Sequence, residues 1–575
     1  MSQLKTRLDR IERLVIAIAA KLSVFKTRII TSKLDTERKA MRSLFLILLS
    51  LASFASFANA DVIRTYNAWL AEFNAEVATG PTDAQMRIWT FYHMPFADPT
   101  PVPNANPTST PPSALTPTQD PTPKPGSGNS IFVSQNKTGS GSGLDAADAL
   151  PVSYFNTSSS WTSAKPTGIQ IGPGTTVNLV GTISTALAIQ GSGSAGRPIT
   201  ILFDSGANLT AANWDSGYAL HGQNVAFIIV DGGSNGLITA TNQNSASKLS
   251  SNGVDFEASH DIEIRNLTVT NMYVKQTQAD PADNAGSCIN FGAMGSNISV
   301  HNNTCHSAGA CISSDRQTTT IANIAIYNNT LADANWCIQS GDDGAGSVCH
   351  GMLIHGNNIT MPGSIWDDSN DDNHHNGIYI WAEHDTTVIT GLKIYDNFIH
   401  GAAGAHSTAY IYISGNGTPG SAQYISRGLE GAMIYNNIIV TTDGGATNGC
   451  IFVSCDGFIV ASNTLVGIGD GPLAGREYTG STPGTTGTIE NNLECGMSQD
   501  WYTVGGVTSL AMSSELYNVN PLFVNGSSDS AATNFELAGG SPATGAKNLS
   551  TLFATDFRGS ARPATGSWSY GALAP

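Results

Sequence analysis

The chain reads as an all-β protein wound as a stacked solenoid, and three observations carry that reading. The first is a repeat. Val300-His301-Asn302-Asn303-Thr304-Cys305 aligns with Ile326-Tyr327-Asn328-Asn329-Thr330-Leu331, with Ile354-His355-Gly356-Asn357-Asn358-Ile359 and with four further units. The shared Asn recurs at 303, 329, 357, 397, 437, 463 and 492, at spacings of 26, 28, 40, 40, 26 and 29. Periods in the twenties are those of a solenoid rung. The second is the pattern inside each unit, where β-branched residues alternate and no 3.6-residue spacing is sustained. The third is composition: 12% of the 575 residues are charged and 60 are Gly, a balance unlike that of a helical or a disordered chain.

The shared Asn is expected where one strand turns into the next. There its amide bonds the backbone and the Asn of neighbouring rungs, and it tolerates left-handed backbone angles. Each 40-residue spacing is one rung plus an insertion, and such insertions often build a solenoid's binding face.

The units do not stand alone. Gly191-Ser192-Gly193-Ser194-Ala195-Gly196-Arg197-Pro198-Ile199 looks like an early rung, and Asp556-Phe557-Arg558-Gly559-Ser560-Ala561-Arg562-Pro563 with Tyr570-Gly571-Ala572 looks like a closing segment. Together they resemble the right-handed parallel β-helix proteins of the pectate-lyase-like superfamily, over roughly residues 129–575. The resemblance implies an all-β, right-handed parallel β-helix. It does not imply one chemistry, because that fold hosts lyases, hydrolases, isomerases, adhesins and phage tailspikes.

In chain order, residues 1–40 form a basic extension of doubtful origin. Residues 41–60 read as a secretory signal: Arg42, an apolar run from Leu44 to Leu51, and Ala58-Asn59-Ala60 before Asp61. Translation from Met41 is the preferred account, with an uncleaved anchor as its rival. A short helical segment at 61–94 follows. The linker at 95–130 is Pro/Thr/Ser-rich, with 11 of the 25 prolines between Pro95 and Pro125. The β-helix then occupies 131–575, with a cap expected around 140–165. The less periodic 500–575 is expected to close the far end or pack along the side. Removing the first sixty residues, which hold 11 of 27 Lys+Arg and 4 of 44 Asp+Glu, leaves 16 basic and 40 acidic residues, a net charge of −24. That excludes nucleic acid as a partner. It leaves a polysaccharide or cell-surface glycan, with the membrane met only through the N-terminal signal or anchor. A secreted, cell-surface or periplasmic location follows.

All eight Cys lie between 288 and 495. Ser287-Cys288-Ile289, Ala310-Cys311-Ile312, Trp336-Cys337-Ile338, Gly377-Ile378-Tyr379 and Gly449-Cys450-Ile451 align as one strand on successive rungs. Stacked strands lie about 4.8 Å apart, so Cys288–Cys311 or Cys311–Cys337 could be bridged, unless these thiols simply fill the core.

The C-terminal end of that strand carries Asp315-Arg316, Asp342-Asp343 and Glu383-His384 on neighbouring rungs, a column of candidate catalytic residues. Between the last two pairs lies Trp366-Asp367-Asp368-Ser369-Asn370-Asp371-Asp372-Asn373-His374-His375. Three readings compete. Paired carboxylates hydrolyse a glycosidic bond, one pKa being raised by the other charge; here Gly341-Asp342-Asp343 resembles the Gly-Asp-Asp segment of polygalacturonases, whose other motifs are absent. Alternatively Asp367, Asp368, Asp371 and Asp372 hold Ca²⁺ and Arg316 removes a uronate proton, as in the β-helix polysaccharide lyases. In the third reading nothing is cleaved, and Trp366, Trp381, Tyr410 and Tyr412 stack sugars on a glycan-binding adhesin or tailspike-like protein. A polysaccharide-active enzyme is favoured over a binder. Zinc is excluded, because His374 and His375 are adjacent and no Cys/His spacing fits.

Overall fold

The structure is a computed structural model. It describes residues 129–574 apart from 249, 282–284, 294, 316–319, 342–347, 362, 364, 368–374, 383–387, 416–428, 444–448, 456, 469–485 and 498–508. The extension, the signal, the helical segment and nearly all of the linker lie outside these residues. All described residues belong to one unit, Leu115–Pro575.

Successive rungs pair strand on strand, in parallel, to form a three-faced β-helix. Face A contains β1 (Tyr218–Gln223), β2 (Asn252–Glu257), β3 (Ser287–Gly292), β4 (Thr304–Asp315), β5 (Thr330–Gly341), β6 (Asn376–Ala382), β7 (Ala409–Gly415) and β8 (Ile451–Ser454). Each pairs with the next. Face B runs through strands such as Thr320–Tyr327, Val348–His355 and Lys393–Tyr395. Face C takes the first halves of β4 and β5, then Asn358–Thr360 and Phe398–Gly401.

The registers explain the sequence pattern. Leu220, Val254, Ile289, Ile312, Ile338, Ile378, Ile411 and Ile451 form one inward column on face A, and each is fully buried. Stacked β-branched side chains of one shape fill a pleated interior with few rotamers to lose. Each contributes about 2 kcal/mol of apolar burial.

The Asn expectation holds for the amides. Asn303 donates through Nδ2 to Asn329 Oδ1 at 3.0 Å, and the chain of donations continues through Asn357, Asn397, Asn437 and Asn463 to Asn492 at 2.9–3.0 Å. Each backbone N–H from Asn303 to Asn463 also donates to the next amide oxygen. The left-handed angle, however, falls on the residue before: Asn302, Asn328, Gly356, Asp396, Asn436, Ser462 and Asn491 have φ between 52° and 64°. That residue makes the turn and aims the ladder Asn inward.

The cysteine alignment needs two corrections. Ile338 pairs with Ile378, so Gly377, not Ile378, occupies the cysteine column. A Cβ there would lie 2.7 Å from the Tyr410 carbonyl oxygen. Nor is either disulfide present, since all eight cysteines are free and seven are buried. The Cys288 thiol donates to Val269 O at 3.2 Å, and burial pushes the Cys288 thiol well up. These thiols are core filling.

The two ends are finished differently. At the start a one-turn helix, Val152–Phe155, packs against the first strands, and Trp161 Nε1 donates to Phe155 O at 2.6 Å. At the other end the chain runs back along the side of the helix. Asn436 Nδ2 donates to Thr555 O, Asn491 Nδ2 to Lys547 O, and Ala572 N to Thr464 Oγ1. Phe535, Ala572 and Leu573 cover Phe398, Ile438 and Val466.

Candidate functional site

Face A presents an outward column that changes character along the axis. By register it runs His221, Asp255, Asn290, Ser313, Gln339, Tyr379, Tyr412 and Phe452. The first five are hydrogen-bonding groups and the last three are rings. Asp255, 4% exposed, binds His221 Nδ1 at 2.7 Å and accepts from Asn252 and Asn290 at 2.8 Å each. Gln339 Nε2 donates to Ser313 Oγ at 2.7 Å. The aromatic end is a mosaic of rings, half-buried at Trp336, Tyr379, Trp381 and Tyr412 and buried at Phe452. Tyr379 lies 4.7 Å from Trp381 and 5.4 Å from Tyr412, Tyr412 stacks on Phe452 at 4.2 Å, and Trp336 lies 6.3 Å from Tyr379. The Trp381 indole covers Gly341, leaving no room for a Cβ.

The insertions frame this same face. In the first 40-residue spacing, residues 361–375 separate Asn358–Thr360 from β6, at the entry to face A. In the second, 402–408 lead into β7. Asp367 clasps the entry loops together. Its carboxylate accepts from the N–H groups of Ala405 and His406 and binds His406 Nδ1 at 3.1 Å. Burial works against the charge, yet these hydrogen bonds hold the Asp367 carboxyl below its usual range. Next to it, Asp443 receives the N–H groups of Ala403 and Gly404. His375 is buried against Ala403 O, and that burial lowers its pKa.

The predicted site residues fare unequally. Trp381 and Tyr412 lie on face A, half-buried. Tyr410 and Trp366 do not. Tyr410 points into the core, fully buried, and donates to Gly401 O at 2.8 Å. Trp366 is equally buried, packs on Tyr273, lies 5.4 Å from the Lys275 ammonium and donates to Asp333 Oδ1 at 3.0 Å. Asp315 ends β4 opposite Gly341 rather than opposite another carboxylate. Arg316, Asp342, Asp343, Glu383, His384, Asp368, Asp371 and Asp372 lie outside the described residues. Among the described residues no group of three metal-binding side chains converges.

His221 and Asp255 are face A residues that sequence reasoning passed over. Carrying the cysteine strand back two rungs, to Tyr218–Gln223 and Asn252–Glu257, places both in its outward column.

Face B carries a column of its own. His301, Tyr327, His355, Tyr395 and Tyr435 stack at 4.6–5.1 Å, and Phe553 from the C-terminal segment continues the stack over Tyr435. Arg265 bridges Asp231 and Glu263 at its other end. The hydrogen bond from His301, followed by the Arg265 charge against the cost of burial, keeps the Glu263 carboxyl low. The chain itself packs over one end of this column.

No family model and no curated protein matches the chain. Among solved structures, the GH136 lacto-N-biosidase from Eubacterium ramulus is 11% identical over 68% of this chain and 68% of its own, at a TM-score of 0.37. Pectate lyase Pel9A is 13% identical over 78% of this chain and 96% of its own, at 0.40. XylC, in complex with xylose, is 10% identical over 77% and 98%, at 0.41. The parallel β-helix assignment rests on the strand registers above and on none of these likenesses.

Proposed function

We propose that the chain binds an extended polysaccharide along face A and cleaves it at the trailing edge of that face, where Asp315, Asp342, Asp343 and Glu383 follow the strands in sequence. One observation carries the reading: a single outward column passes from hydrogen-bonding groups to stacked rings over eight consecutive strands. Sugars offer hydroxyls at their edges and C–H surface on their faces. A groove that supplies both kinds of partner suits them. The insertions that lead into β6 and β7 at the entry edge of this face support the same placement.

The test is a polysaccharide panel read for binding, for new reducing ends and for the ultraviolet absorbance of an unsaturated uronide, with Ca²⁺ or with EDTA. Absorbance abolished by EDTA would identify a lyase. Reducing ends alone would identify a hydrolase. Binding without either would leave a glycan-binding protein, and no binding anywhere on the panel would end the proposal. Trp381→Ala should weaken binding about tenfold, on the order of 1.4 kcal/mol.

A further inference from the structure

At the N-terminal end of face A the groove deepens into an open cleft of about 370 Å³, beside β1 and the strand Leu187–Ile189. Gln190, Ser192, Tyr218, His221, Gln223 and Asn224 supply its polar walls, and among the described residues no Asp, Glu, Lys or Arg lines it. The neighbouring carboxylates stand on the next rung and are already engaged. Asp255 binds His221 and two Asn amides, and Glu257 Oε2 accepts from Gln223 at 2.6 Å.

The imidazole is held in place by its surroundings. Tyr218 stacks on it at 4.2 Å and 18°. Nδ1 lies 2.7 Å from the buried Asp255 carboxylate, so Nε2 is the ring nitrogen left for a ligand. Among the described residues the His221 side chain makes no other hydrogen bond. The cleft therefore offers amides, hydroxyls and one imidazole nitrogen, all of which match neutral hydroxyl groups. A carboxylate ligand would meet no Lys or Arg among the described residues there. It would give up its hydration beside Asp255 and Glu257 on the adjoining rung.

We infer that this cleft is a subsite for a neutral sugar unit and that it rejects uronates. The inference rests on face A being the glycan-binding face. Calorimetric titration of the whole chain with neutral xylo- and manno-oligosaccharides, and with galacturonate oligosaccharides of the same length, tests it. Neutral ligands should bind at least tenfold more tightly than uronates. His221→Ala should weaken the neutral ligand about tenfold. Gln190→Ala, at an exposed position that leaves the Asp255 network intact, should weaken it severalfold. Tighter binding of the uronate would overturn the subsite. So would neutral binding that Trp381→Ala weakens while both cleft variants leave it unchanged, and in that case face A would stand. Absence of binding to both ligand classes would overturn the subsite and the face together.

Discussion

Asp396 sits at a left-handed turn position, φ 54°, that Asn302, Asn328, Asn436 and Asn491 fill on other rungs. Burial pushes its carboxyl up to about 8 from a usual 3.8, against the lowering effect of the Asn436 hydrogen bond. Between those values the folded chain keeps a proton that the unfolded chain releases. Stability is therefore lost as pH rises from 3.8 towards 8, and the loss is complete above 8. Asn fits the same angle without a charge. Asp396→Asn should match the wild type near pH 4 and exceed it by about 1 kcal/mol or more at pH 8. Thermal midpoints across that range decide it, and a constant gap would mean that the carboxyl does not titrate as described. Residues of this kind also mark where sequence reading stopped. Asn302 and Asn303 are the same residue type, and only the backbone says which one turns and which one bonds. Cys288 and Ile289 are consecutive and both face inward, so two-residue counting changes parity at the corner. For that reason Tyr410, one place before the column Ile411, was read as outward.

The ladder is legible for the opposite reason: it repeats. Asn397 accepts from the Asn357 backbone and side chain and donates to Ile354 O, Tyr395 O and Asn437. Asn397→Ala leaves several buried groups without partners and should cost about 3 kcal/mol. Asn297→Gly removes an exposed amide of the outer turn, which donates to Asp261 at 3.0 Å. It keeps the left-handed angle and should cost less than about 1 kcal/mol. Equal losses in a denaturant titration would mean that the inner ladder has no special role. The cysteine column gives a second check. Of eight thiols only Cys495 is partly exposed, so a thiol reagent should modify one group in the folded chain and eight after unfolding. His221 and Asp255 escaped notice because their rungs precede the Asn motif, so their common column appears only once the strand register is extended.

For the whole molecule, Arg562 knits the C-terminal segment together and ties it to the Asn436 turn of the β-helix. That guanidinium donates to Thr555 O, Asn436 Oδ1, Gly571 O and Ala572 O, and burial lowers its pKa to about 10. Arg562→Ala strands these acceptors at once. It should cost about 3 kcal/mol and open the segment after residue 520 to limited proteolysis. A variant as resistant as the wild type would show that the segment is held by its apolar contacts alone.

Each rung stacks its strands on the rung before and the rung after it, so the groove is measured in whole turns. Removing or duplicating one turn would change its length by about 4.8 Å and leave the strand pairing of the other turns intact. The molecule is in this sense a ruler whose graduations are the Asn side chains. Under the proposed function, the span of glycan it holds would be set by how many turns are stacked, and what it grips at each mark by the one outward residue that the turn contributes.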